Sequence, residues 1–229
     1  MKTYRKTSII VGILFIIGTL AGFIGAFVVL GRLLGEPLDL GNIAAHGSQL
    51  SLGALLILVM GFALAMVPAL MFPIFKKQNE ILALGYLVFR GALETMAYIA
   101  SAVCFLTLGA LGKEFVKAGA PAVSHFQTLG ALFLAGNGWI GAMTSIVFSL
   151  SALMFGGLMF ISRLIPRWLS AWGFAGAVLY LAEPLFFMFG FNWEFLFFPL
   201  ALQEMVMAVW LIAKGFNRQA LASGTVSQE

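Results

Sequence analysis

The sequence predicts an all-α, polytopic membrane protein, a bundle of six transmembrane helices joined by short loops. Hydrophobic residues make up 62% of the 229 positions and charged residues only 10%, whereas an average soluble domain carries about 25% charged residues. Mean hydropathy is +1.03. A helix needs roughly 20 apolar residues to cross a bilayer, and the chain holds six such runs separated by polar turns.

The apolar runs define the predicted spans in order. They cover residues 8–30, 51–75, 81–109, 138–161, 169–189 and 195–213. The first run is too long for the core of a signal peptide, so we interpret it as a retained helix. Small residues along this run would let another helix approach closely. They are Gly12, Gly18, Gly22 and Gly25.

The connection between the third and fourth spans, residues 112–137, is the longest. From residue 121 to 135 apolar residues recur at helical spacing, which predicts an interfacial amphipathic helix on the membrane surface. Residues 1–215 then form a single transmembrane domain. Residues 216–229 form a polar cytoplasmic tail that we expect to be disordered.

The distribution of lysine and arginine predicts the orientation. Nine of them lie in the N-terminal leader, the turns at 76–77 and 163–167, and the C-terminal tail, whereas the opposite loops hold three. An excess of Lys and Arg marks the cytoplasmic side, so both termini should be cytoplasmic. The formal net charge of +4 reflects this bias, and no pattern of basic and aromatic residues indicates nucleic-acid binding. The expected partner is the lipid bilayer.

Ionisable residues inside the apolar spans mark the candidate site. Arg90 and Glu94 stand four residues apart, so they share one helix face, and Tyr98 extends that face by another turn. At about 1.5 Å per residue, Arg90 and Glu204 each lie roughly 15 Å from the cytoplasmic end of their spans, and they should pair. By the same measure Glu94 and Glu183 share a second level, nearer the outside.

One arginine cannot neutralise three carboxylates, so the surplus carboxylate needs water, a proton, a cation or a ligand amine. The sequence therefore favours a polar interior site that binds a small ligand, a cation or a proton, as in a transporter or a receptor. The site residues would be Arg90, Glu94, Tyr98, Glu183 and Glu204. The alternative is a structural or regulatory membrane subunit in which the same charges form a purely structural buried network. An intramembrane enzyme is the third interpretation.

The sequence predicts no catalytic residue, no metal site and no cofactor. The serines within the spans have no convincing histidine partner for nucleophilic catalysis. His46 and His125 fall in predicted loops, and their spacing is not that of metal ligands. Cys104 is the single cysteine, so it cannot form an internal disulfide or a cysteine-based metal motif.

Three blocks in this order resemble a known family. They read FPIFKKQNE at residues 72–80, SRLIPRWLS at 162–170 and ALQEM at 201–205. Together they are similar to the bacterial membrane proteins grouped as domain of unknown function 4386, and the similarity extends over nearly the whole chain. The resemblance implies six helices and a bacterial cytoplasmic (inner) membrane, and it implies no activity. It also identifies Arg90, Glu94 and Glu204 as positions that match the family pattern.

Overall fold

The computed structural model describes residues 2–35, 37–118 and 123–223, and these ranges contain helices and no strand. In chain order the helices are α1 (Lys2–Phe23), α2 (Leu40–Ala45), α3 (Gly47–Phe75), α4 (Glu80–Tyr86), α5 (Glu94–Ala118), α6 (Val123–Ser162), α7 (Arg167–Met188), α8 (Phe198–Ala213) and α9 (Arg218–Ser223). Two π-helical segments extend α1 and join α4 to α5. They are Ile24–Leu30 and Leu87–Leu93. A 3₁₀ turn, Glu194–Phe197, leads into α8.

Within the described residues, six helical stretches are long and apolar enough to cross a membrane, which confirms the predicted all-α class with six candidate spans. They are Tyr4–Leu30, Gly47–Phe75, Glu80–Ala118, Val123–Ser162, Arg167–Met188 and Glu194–Ala213. Asn79 caps the start of the third, because its side chain accepts a hydrogen bond from the backbone N–H of Leu82 at 2.9 Å.

The connection between the third and fourth spans differs from the prediction. The third span continues through Gly112 to Ala118, and α6 begins already at Val123 and continues without a break to Ser162. A separate helix over residues 121–135 is therefore not seen, and residues 121 and 122 lie outside the described residues. Helix α5 continues through Gly112, and the absent side chain allows close packing there: a Cβ would lie 2.9 Å from the Leu40 carbonyl oxygen.

The chain divides into two compact units. Unit 1 comprises Met1–Ile17, Ala63–Thr95 and Ala142–Glu229, and unit 2 comprises Gly18–Phe62 and Met96–Gly141. The boundaries between them fall inside α1, α3, α5 and α6. Of the predicted tail, Arg218–Ser223 forms α9, and residues 224–229 lie outside the described residues.

Unit 1 has an aromatic core formed by side chains from four helices. Phe155 of α6 lies 6.0 Å from Phe15, 5.7 Å from Phe75 and 5.1 Å from Tyr86, measured between ring centroids. A second buried cluster joins α6, α7 and α8. It contains Phe148, Ala152, Ala177 and Leu200. Burial of aromatic rings is the largest apolar contribution that single side chains make to packing.

Close contacts hold α1 against α8 in unit 1. A Cβ at Gly12 would lie 2.6 Å from the carbonyl oxygen of Ala208, so the two backbones meet where glycine leaves room. Arg5 Nη2 donates to the carbonyl oxygens of Ile212, at 2.7 Å, and Ala213, at 3.3 Å. These carbonyls end α8 and carry the negative end of its dipole, so the guanidinium caps that helix.

Unit 2 has its own apolar core. Its buried members include Leu30, Leu40, Ile43, Leu50 and Leu108. The side chain of Asp39 begins α2 by accepting a hydrogen bond from the Asn42 N–H at 3.0 Å. The predicted small-residue face of the first span is used here, because a Cβ at Gly25 would stand 3.0 Å from Leu56.

Candidate functional site around Arg90

Arg90 lies in the π-helical segment Leu87–Leu93, and its side chain is 3% exposed. The N–H of Glu94 closes the segment by bonding the carbonyl oxygen of Phe89, five residues earlier. π-Helical turns within α-helices are uncommon and occur frequently at functional sites. The backbone thus departs from α-helical geometry at the residue that sequence reasoning placed at the centre of the site.

Two carboxylates share the Arg90 guanidinium. Nη1 donates to Glu94 Oε1 at 3.0 Å and to Glu94 Oε2 at 3.1 Å. Nη2 lies 3.5 Å from Oε1 of Glu204 on α8, an ion-pair contact that is longer than the usual N–H···O hydrogen bond of about 2.7–3.2 Å. Both predicted pairs are confirmed. The i, i+4 spacing explains the first, and equal depth in the third and sixth spans explains the second.

An aromatic ring covers one face of the guanidinium. The Cζ atom of Arg90 lies 4.4 Å from the centroid of the Phe148 ring, which is within cation–π range. The rings of Phe148 and Tyr180 are in turn packed nearly perpendicular to each other, with centroids 4.8 Å apart. Sequence reasoning missed Phe148, because nothing distinguishes it from the other phenylalanines among the 23 in the chain.

The charges of the cluster do not balance. The Arg90 guanidinium pairs with both Glu94 and Glu204, so one cationic group faces two carboxylates. With all three ionised, one positive and two negative charges leave a formal charge of −1. Glu94 is 1% exposed, whereas Glu204 is 16% exposed and more distant from the guanidinium. Glu204 is therefore the less tightly held carboxylate.

A small cavity of about 20 Å³ lies beside Glu204. A volume of roughly 10–15 Å³ is needed for each buried water, so this cavity has room for one or two. Its polar lining is formed by Arg90, Ser151, Ser170, Gln203 and Glu204, and Tyr86, Phe148 and Phe155 contribute aromatic walls. The site as it stands fits water or a proton and is too small for a drug-sized molecule.

Gln203 and Ser170 were also missed by sequence reasoning. Gln203 is buried, and its Nε2 donates to the Leu169 carbonyl oxygen at 3.0 Å, which ties α8 to α7. Ser170, one residue further along α7, is 1% exposed, and its Oγ has no protein partner among the described residues. Gln203 directly precedes Glu204, and this polar pair within an apolar span could have indicated Gln203 as a site residue. No feature of the sequence distinguishes Ser170 in this way.

Glu183 is not among the residues that line the cavity beside Glu204. It is buried near the C-terminal end of α7, five residues before that helix ends at Met188. The expected convergence of Glu94 and Glu183 stays a prediction. Tyr98 is half-buried in unit 2, where its ring lies against Gly61.

The described residues contain no group of three or more His, Cys, Asp and Glu side chains that would hold a metal ion. Six apolar spans and a buried arginine that pairs with two glutamates define the class: a multi-pass membrane protein with a charged interior. The chain belongs to the family described as domain of unknown function (DUF4386), whose model matches residues 10–215. No curated protein and no solved structure matches the chain.

Proposed function

We propose that this integral membrane protein binds a proton, or a small cation or amine that replaces it, at the cluster of Arg90, Glu94 and Glu204. A transporter-like or receptor-like role follows from such a site. The observation that carries the proposal is the sharing of one buried guanidinium by two carboxylates. An uncompensated negative charge away from water costs several kcal/mol, so a proton or a cation would stabilise the folded protein.

The purely structural network is the second candidate, and one observation favours it for part of the cluster. The bond between Arg90 and Glu94 forms within one helical stretch, is short and is almost completely shielded. Such a pair fixes the position of a side chain without needing a ligand. Glu204 distinguishes the two functions, because its longer contact and partial exposure leave it able to gain and lose a proton.

An intramembrane enzyme is the third and weakest interpretation. The cavity wall offers the hydroxyl groups of Ser151 and Ser170, but the residues that line it in the described chain include no histidine. Ser151 Oγ also donates to the carbonyl oxygen of Phe148 at 2.8 Å. A serine nucleophile normally needs an adjacent base, so this wall offers little support for acyl transfer.

Infrared spectroscopy of the purified protein tests the proton site. A carboxylic acid and a carboxylate have separate carbonyl bands, so a spectrum recorded as the pH rises from about 5 to 8 reports deprotonation. We expect the wild type to lose the band of one buried carboxylic acid and Glu204→Gln to lack that change. Glu80→Gln, at an exposed position, is the matched control and should behave as the wild type. Identical spectra for all three proteins would refute the proton site.

We also propose a bacterial cytoplasmic membrane location with both termini in the cytoplasm. Contact between Arg5 and the C-terminal carbonyls of α8 supports placing both termini on one side, as six crossings require. The excess of Lys and Arg supports the cytoplasmic side.

Because the boundaries of the two units fall within helices, we propose residues 1–215 as one domain followed by the polar tail 216–229.

Single-cysteine labelling tests the orientation. In a Cys104→Ser background, Lys113→Cys should react with an impermeant thiol reagent added to intact cells. Lys77→Cys should react only after the membrane is opened. Both lysines are exposed, so reactivity reports the side of the membrane rather than burial. Labelling of Lys77→Cys in intact cells would reverse the proposed orientation.

The fourth helical stretch, at 40 residues, is about twice as long as a bilayer requires. We propose that its first turns, residues 123–135, lie at the membrane surface, as the amphipathic pattern predicts. The contact between the rings of Phe115 and Phe126, 6.0 Å between centroids, gives these turns a packing partner at the end of α5 within unit 2.

A further inference from the structure

The hydroxyl group of Ser170 is the feature of the cavity that the ion pairs do not explain. The residue is 1% exposed, its Oγ has no protein partner among the described residues, and it lines the cavity. A buried hydroxyl without a hydrogen bond is unfavourable, and buried waters typically satisfy such groups with two to four bonds. Ser170, Gln203 and Glu204 offer those partners around a space with room for one or two waters.

We propose that the cavity holds a short chain of water that links Ser170 to Glu204 and carries the proton to and from that carboxylate. This inference rests on the proposed proton site and adds the route. A hydronium ion in the chain gives one proton to the Glu204 carboxylate, which becomes a neutral carboxylic acid and leaves a water molecule. Release of the proton reverses the step.

The lining residues indicate the end from which the water chain is reached. Ser170 is three residues after Arg167, the first residue of α7, and therefore roughly 5 Å along the helix. Ile165, in the turn before α7, also lines the cavity. Glu204 lies roughly 15 Å from Lys214 at the same end of the bundle in unit 1. The route thus leads from the turn at 163–167, on the proposed cytoplasmic side, to Glu204.

A proton fits this route better than a metal cation. The Arg90 guanidinium lies 3.5 Å from Glu204 and would repel a cation bound to the same carboxylate. The cavity also supplies few oxygen ligands besides Glu204, Ser151, Ser170 and Gln203, and Ca²⁺ or Mg²⁺ needs about six or more. Neutralising Glu204 with a proton requires neither a free coordination sphere nor a larger cavity.

Hydrogen–deuterium exchange of the Glu204 carboxylic acid tests the route in the full-length protein. Transfer into D₂O shifts its infrared band, and the rate of the shift reports water access. We expect Ser170→Val, which fills the cavity and removes the hydroxyl, to slow the shift on the order of tenfold, about the effect of one lost hydrogen bond on a rate, while leaving the band amplitude unchanged. Ser170→Thr adds one methyl group and should slow the band shift less than Ser170→Val does. It replaces the valine variant in the comparison if that variant does not fold. Ser149→Thr, at a buried serine outside the cavity wall, is the control.

The outcomes separate the route from the proton site. Slower exchange in the Ser170 variants, with wild-type exchange in Ser149→Thr, supports the water chain. Equal exchange rates in all variants, with the Glu204 band present in the wild type, would overturn the route and leave the proton site standing. A wild type without any band that Glu204→Gln removes would overturn both.

Discussion

Arg90→Met should lower the free energy of unfolding by roughly 3–5 kcal/mol, because it leaves two buried carboxylates without their shared counter-charge. Glu94 loses both hydrogen bonds from Nη1, and Glu204 loses its ion pair. Methionine keeps much of the side-chain volume, so the packing against Phe148 changes less than the electrostatics. Equilibrium unfolding in mixed micelles, followed by tryptophan fluorescence, measures the loss.

Arg32→Met is the matched control for this variant. Arg32 is exposed, and a substitution at such a position usually changes stability by less than about 0.5 kcal/mol. A triple variant with Arg90→Met, Glu94→Leu and Glu204→Leu should regain most of the loss, since apolar replacements of buried ion networks are often neutral or stabilising. Equal stability of Arg90→Met and Arg32→Met would show that the cluster is hydrated and contributes little to folding.

The part of the site that depends on helix periodicity and depth was predictable from the sequence. A spacing of four residues placed Glu94 beside Arg90, and equal distance from the helix ends placed Glu204 beside it. The second relation holds because a helix has a fixed rise per residue, and the first holds even though Leu87–Leu93 departs from α-helical geometry. The positions of Phe148 and Ser170 depend on how α6 and α7 rotate about their axes, and apolar spans carry little polar pattern that would predict this rotation.

The six spans were predictable for the same reason, because membrane thickness fixes the length of an apolar run. The ends of the helices, which lie outside the apolar runs, could not be predicted in this way. The glycines Gly112, Gly136 and Gly138 fall in or beside the predicted connection between the third and fourth spans, but α5 and α6 continue through them. A glycine inside a helix costs only about 1 kcal/mol, which close packing at Gly112 offsets.

Gly12→Ala should destabilise the protein by roughly 1–3 kcal/mol, the usual cost of inserting a methyl group into a full interface. The new Cβ would lie 2.6 Å from the carbonyl oxygen of Ala208 and 2.7 Å from Ile212 Cγ1. A side-chain atom can rotate away, but the backbone carbonyl can move only if α8 moves. Thermal unfolding in detergent, compared with the wild type, measures the effect.

Gly157→Ala provides the matched control, because it makes the same chemical change within a helix where nothing lies within 4 Å of the added Cβ. Alanine favours a helix over glycine by up to about 1 kcal/mol, so this variant should be as stable as the wild type or slightly more stable. Equal stability of the two glycine variants would show that α1 and α8 do not meet at Gly12.

Ala208 lies one turn beyond Glu204, so displacement of α8 should also lengthen the 3.5 Å contact between Glu204 and Arg90. We therefore expect Gly12→Ala, and not Gly157→Ala, to shift the infrared band of the Glu204 carboxylic acid.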